Sequence, residues 1–184
     1  MNMITEGDPT TSPSFSINNR LARLIWSIVW FFWFRPSPRV LHGWRSFLLR
    51  LFGARIGQNV HIYPSVKIWA PWNLHIEDGV GIGDGTRLYS MDLIHIGERA
   101  VVSQNSHLCA GSHDINSPRF QLITKPIHIG AKVWICADAF VGPGVHITEG
   151  CVIGARGVVF KSINQPWSVW GGNPATHIKQ RAPQ

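Results

Sequence analysis

From Ile56 onward an aliphatic residue returns at every sixth position, and small, polar or glycine residues dominate between. The runs read IGQNVH, IYPSVK and IWAPWN over 56–73, IEDGVG, IGDGTR and LYSMDL over 76–93, and IGERAV, VSQNSH and LCAGSH over 96–113. They resume as IGAKVW, ICADAF and VGPGVH from 129, then ITEGCV, IGARGV and VFKSIN to 164. All fifteen begin with Ile, Leu or Val; at the fifth place only Trp72, Asp92 and Ile163 depart from Val, Ala, Ser, Thr, Cys or Gly. A period of six describes a short strand and a tight turn, three of which close a triangular coil, with coils stacked about 4.8 Å apart. The aliphatic first positions then form ladders inside a prism, and second-position glycines such as Gly57, Gly97 and Gly154 suit its corners. The expected fold is all-β: a parallel β-helix of about five coils over residues 54–164. Residues 74–75 and 94–95 read as two-residue excursions, and 114–128 as a projecting loop, where function tends to be carried.

Ahead of the repeat the pattern changes. Residues 1–16, rich in Ser, Thr and Pro, show no periodic apolar face and read as a loose tail. INNRLARLIWSIVWFFWF, 17–34, predicts a helix with arginines at one end and an almost unbroken apolar run after them. VLHGWRSFLLRLFG predicts a second, amphipathic helix with Val40, Leu41, Trp44, Phe47, Leu48, Leu51 and Phe52 at helical spacing, closed by Gly53. The segment Leu24–Phe34 spans only about 16 Å as a helix, half of a ~30 Å hydrocarbon core. RPSPR follows it where a signal peptide would need small residues. Residues 17–53 are therefore expected to lie in a membrane interface, or to cap the domain or pack between subunits. Residues 165–184 form a C-terminal segment.

Charge sharpens that reading. The net charge is +7, and residues 9–76 hold seven arginines and Lys67 but no carboxylate. An anionic neighbour is implied, and the interleaved Trp and Phe favour a membrane surface over nucleic acid. Three cysteines without a CxxC pair argue against a disulfide framework or zinc site and fit a reducing cytoplasm, each thiol filling a small-residue slot. No metal is expected.

FRPSPR, LLRLFGARIG, IWAPWNL, CAGSHDI after VVSQNSH, FVGPGV and GGNPA together resemble the hexapeptide-repeat acyltransferases, most closely the acetyltransferases assigned to colanic acid biosynthesis in bacterial exopolysaccharide clusters. The resemblance runs from about Phe15 to Arg181 and implies a left-handed β-helix, a homotrimer with active sites between prisms, and acetyl-coenzyme A as acyl donor. It further implies O-acetylation of a sugar hydroxyl, on a soluble nucleotide sugar or a lipid-linked oligosaccharide; with the apolar, arginine-rich front end, a cytoplasmic enzyme peripheral on the inner membrane is expected.

Thioester-to-alcohol transfer needs a base, and imidazole suits the task. His113 ends the last hexapeptide before the loop, in a CAGSHDI setting that resembles the catalytic histidine position of galactoside and maltose acetyltransferases. Asp114 or a backbone carbonyl orients it, and Ser112 or a backbone amide is the candidate oxyanion donor. By resemblance Asp92 and Ser90 contact the acceptor. Trp134, Ala137, Gly154, Ala155, Arg156, Lys161, Lys179 and Arg181 match coenzyme A-binding segments, although Phe160 and Thr176 depart from the family pattern. His61 and His146 read as solvent-facing corners, and His107 as a residue on a different face from His113. Two rivals stand beside the transferase: a γ-type carbonic anhydrase-like metal site, which His107 and His113 fit poorly in spacing, and a non-enzymatic membrane scaffold.

Overall fold

The computed structural model describes residues 13–183, so most of the expected tail 1–16 lies outside the described residues. The hexapeptide register is realised as a three-faced prism. Ile56, Ile76, Ile96, Ile129 and Ile147 align on the first face. Ile62, Ile82, Val102, Ile135 and Ile153 align on the second, and Ile68, Leu88, Leu108, Val141 and Val159 on the third. The second-face ladder is 0 % exposed throughout. Each inward aliphatic chain thus meets its counterparts on the coils above and below, and burial of this continuous stack drives folding. The fifth positions face inward as well: Val66, Val80, Thr86, Ala100, Ser106 and Cys151 are completely buried. The hydroxyls of Thr86 and Ser106 there donate to the carbonyls of Ser103 and Cys136. Corner glycines allow the coils to approach: a Cβ on Gly97 would lie 2.6 Å from the amide nitrogen of Ala131 on the next coil.

Three expectations need correction. Residues 74–75 and 94–95 are not excursions; they extend first-face strands Leu74–Ile76 and Ile94–Ile96, which pair in register with each other and with Ile127–Ile129. Leu74, Ile94 and Ile127 are buried, adding an aliphatic rung that a strict six-residue frame does not anticipate. The projection is a hairpin starting at Gly111, its strands Gly111–His113 and Leu122–Thr124 antiparallel. Beyond the five full coils, Ser168–Gly171 adds a sixth parallel strand to the second face, and Thr176–Gln180 returns antiparallel beside it.

The helices α1 (Ile17–Val29) and α2 (His42–Leu51) close the first end of the prism. Ser16 caps α1 by accepting from the Asn19 amide, and a π-helical turn, Trp30–Phe34, continues it. Indole N–H groups of Trp26 and Trp30 donate to the carbonyls of Ile68 and Val66, each at 2.8 Å, while Trp26, Phe34, Leu48 and Leu49 seal the prism mouth. The buried side of α2 is not simply its predicted apolar stripe. Arg45, Ser46, Leu48 and Leu49 face inward, while Trp44, Phe47 and Leu51 face out. The Arg45 guanidinium explains this: it donates to the carbonyls of Ile62, Pro38 and Arg39 and to the Ser37 hydroxyl. One planar fork thereby ties the FRPSPR turn to the first coil. Leu24, Phe31, Phe32, Trp33, Phe47 and Leu51 remain between 51 % and 68 % exposed. Among the described residues no helix is long and apolar enough to cross a membrane.

Candidate active site

His113 stands at the end of the first hairpin strand, where the chain has left the prism corner at Ala110. Its ring lies 4.4 Å from that of Phe120, nearly parallel at 8°, and its Nδ1 is 2.9 Å from the Phe120 carbonyl oxygen. That carbonyl can only accept, so Nδ1 carries the proton and donates, leaving the Nε2 lone pair free. No hydrogen-bond partner for Nε2 occurs among the described residues. Phe120 has φ of 46°, a left-handed conformation that turns the loop back. The Asp114 carboxylate does not meet the ring; it accepts from the Asn116 amide at 3.0 Å and shapes the turn. Ser112 is exposed on the hairpin opposite Ile123.

Of the two acceptor candidates, Ser90 must be corrected. Its hydroxyl is 0 % exposed, donates to the Ala70 carbonyl at 2.9 Å and accepts from the Ala70 amide at 3.0 Å. It is a stitch between coils and is sealed from any ligand. Asp92 is partly exposed and accepts from the Leu93 amide.

A cleft of about 540 Å³ lies on the third face beneath α1, lined by Arg23, Lys67, Trp69, Arg87, Tyr89, His107 and Cys109 among others. Lys67, Arg87 and His107 stack there because their hexapeptides align in register. The Arg23 guanidinium sits 4.3 Å above the Trp69 ring. Three cations and no carboxylate line this cleft. Burial, and then the Arg87 charge, push the His107 pKa below its ordinary value, favouring the uncharged imidazole; burial raises that of Tyr89. The cleft reaches the hairpin root: a Cβ on Gly111 would lie 3.5 Å from Tyr89 Cε1. Sequence reasoning missed Arg23, Lys67, Arg87 and Tyr89, although sixth-position residues twenty apart were the available signal. Cys109 is likewise corrected, since it borders this cleft instead of filling an internal slot as Cys151 does.

The coenzyme A candidates fall into separate groups. Trp134 and Arg181 share a hollow of about 400 Å³ on the second face with Arg99 and Lys132, the Trp134 indole donating to Ser103. Arg181 also stacks over Trp167 at 5.2 Å. Lys179 is exposed on the same face, opposite Val169. Ala137, Gly154, Ala155 and Arg156 form one corner, where the Arg156 amide donates to the Ala137 carbonyl. Lys161 lies at the next corner, after the third-face strand Val158–Val159. His61 and His146 are exposed as expected but sit in strands, His61 stacked 4.7 Å from His42. His107 and His113 form no metal-ligand group among the described residues, whereas His75, Glu77 and His95 do.

Comparison with models of known protein families gives no match. Over 167 residues the chain is 48 % identical to "Putative colanic acid biosynthesis acetyltransferase WcaF" of Escherichia coli (strain K12), covering 91 % of each chain. Among solved structures, a maltose O-acetyltransferase from Clostridium difficile 630 superposes with a TM-score of 0.83 at 22 % identity, covering 91 % of this chain and 90 % of that one. A hexapeptide-repeat acetyltransferase from Vibrio cholerae O1 biovar eltor, complexed with acetyl-coenzyme A, gives 0.82 at 21 % identity over 91 % of each. At these identities the structural likeness speaks to the left-handed β-helix fold.

Proposed function

This chain belongs to the hexapeptide-repeat acetyltransferases, and from that premise we propose that it moves an acetyl group from acetyl-coenzyme A to a sugar hydroxyl in exopolysaccharide assembly, with His113 as base. The observation that carries the assignment of the base is the Nδ1 contact with the Phe120 carbonyl, which leaves Nε2 free to take a proton. Nε2 removes the proton from the acceptor hydroxyl, and its oxygen attacks the thioester carbonyl. The tetrahedral oxyanion is met by backbone N–H groups or the Ser112 hydroxyl, and its collapse forms the ester and expels the coenzyme A thiolate, which recovers the proton from His113. No covalent enzyme intermediate forms, and holding both substrates together supplies much of the rate gain.

Coenzyme A extends along the corner of Ala137, Gly154, Ala155 and Arg156, with the second-face cations near Trp134 and Arg181, joined by Lys161 and Lys179, meeting its phosphates. The third-face cleft takes the acceptor. Its three cations and aromatic walls suit a sugar bearing phosphate or another anionic group, and Asp92 follows the lining strand Arg87–Tyr89. Both sites are open in one chain, which supports a homotrimer in which a neighbouring prism completes each. The apolar outer surface of α1, the π-helical turn and α2, in a stretch that carries arginines and no carboxylate of its own, supports peripheral attachment to the cytoplasmic side of an anionic inner membrane, although Arg39 is paired with Asp84 at 2.9 Å. The cleft opens beside α1, so a lipid-linked acceptor reaches it from that membrane.

Turnover of acetyl-coenzyme A, followed as thiol release on lipid-linked and soluble acceptors, tests the reading. His113→Ala lowers kcat by about 10²–10⁴-fold. A variant within tenfold of wild type removes His113 from the mechanism. Sedimentation with anionic vesicles checks the attachment: Phe32→Asp with Trp33→Asp abolishes pelleting, and undiminished pelleting refutes it.

A further inference from the structure

We propose that the first face of the prism carries a binding site for a divalent transition-metal cation of the Zn²⁺ class, held by His75, Glu77 and His95. One potential donor atom from each residue lies within 4.8 Å of the other two. Ligand atoms around tetrahedral zinc stand roughly 3.4 Å apart, a span the three donors approach as they stand. Register brings these residues together. His75 and His95 are paired on adjacent strands, both pointing outward, with ring centroids 4.8 Å apart. Glu77 turns back so that its Oε1 is 2.8 Å from His95 Nε2. Its other oxygen accepts from the Glu98 amide at 2.9 Å, a contact that holds the carboxylate's orientation as outer partners of metal ligands do.

Two surroundings favour an ion over a simple His–Glu pair. The cluster borders a hollow of about 680 Å³ that also receives Asp78 and Glu98, leaving room for water or an anion on an open coordination position. Imidazoles also continue along the face: His128 follows His95 at 5.9 Å and His146 follows His128 at 6.1 Å, so the histidine in front of the first-position isoleucine recurs on four successive coils. Two imidazoles and a carboxylate, without thiolate, suit zinc, cobalt and nickel better than soft or purely oxygen-seeking ions. An ion here pins the second coil to the third near the docked end of α2, whose Arg50 lines the same hollow. This inference does not depend on the acetyltransferase reading, and its test does not use activity.

Full-length protein is freed of metal with a chelator, then titrated with Zn²⁺ by calorimetry and with Co²⁺ by visible absorption. The expected result is one ion per chain and a cobalt ligand-field band. His75→Ala and Glu77→Gln each weaken affinity at least about tenfold, while His146→Ala, at the far end of the ladder, stays within about threefold of wild type. Glu77→Gln keeps the shape of the side chain and a partner for His95, so its loss of affinity reports ligation even if His75→Ala folds poorly. Absence of binding, equal affinity in wild type and Glu77→Gln, or an equal loss in His146→Ala overturns the site.

Discussion

Ser90→Ala separates a structural serine from a substrate contact. The hydroxyl is completely buried and bridges to both backbone polar groups of Ala70, itself 0 % exposed. Its removal affects those groups unequally. The Ala70 carbonyl keeps a second bond, from the Asn73 amide at 3.2 Å, so only one of its two hydrogen bonds is lost, at about 0.5–1.5 kcal/mol. The Ala70 amide loses its partner inside the prism, and an orphaned buried donor costs about 1–3 kcal/mol. The sum is about 1.5–4.5 kcal/mol, which at roughly 2–4 °C per kcal/mol for a chain of this size lowers the melting temperature by about 3–18 °C. Below that temperature the acceptor KM and kcat stay at wild-type values, since no ligand reaches the hydroxyl. Differential scanning calorimetry paired with acceptor saturation curves reads both quantities. A variant that melts with wild type but raises the acceptor KM tenfold would show that Ser90 faces the acceptor and that the inter-coil stitch is wrong.

Burial lowers the pKa of His42, His107 and His128 below the ordinary imidazole value of about 6.5. The unfolded chain therefore binds more protons near pH 6, so stability is full above about pH 6.5 and falls as pH drops toward the folded values. Urea midpoints measured from pH 7.5 to 5 decline accordingly, and His107→Asn flattens the decline; an unchanged slope contradicts the assignment. Arg45→Lys leaves a single ammonium where a guanidinium served three carbonyls and a hydroxyl. At about 1–3 kcal/mol for each buried acceptor left unpaired, the variant unfolds at clearly lower urea, and a wild-type midpoint refutes the keystone role.

The recurrence of an aliphatic residue every six positions determined the prism, its three faces and the pairing of coils. A one-residue slip would turn each ladder outward, so the pattern alone selects the register. The position of His113 beside the hairpin was also legible, because it ends the last regular hexapeptide before an interruption. What holds its ring was not: Phe120 lies seven residues on, and only the left-handed backbone there aims its carbonyl at Nδ1. The same limit applied to Ser90, whose bridge to Ala70 twenty residues back could not be told from a ligand contact, and to α2, whose apolar stripe did not say which residues face the prism; that was decided when Arg45 met carbonyls from two separate segments. His75, His95, His128 and His146 each precede a first-position isoleucine, a signal present in the chain from the start. The approach of Glu77 to His75 and His95 depended on which way a corner turned. Periodic burial acts on every residue of a repeat and is written throughout the chain, whereas hydrogen bonds between distant segments depend on a few side-chain directions that arise only once the coils have stacked.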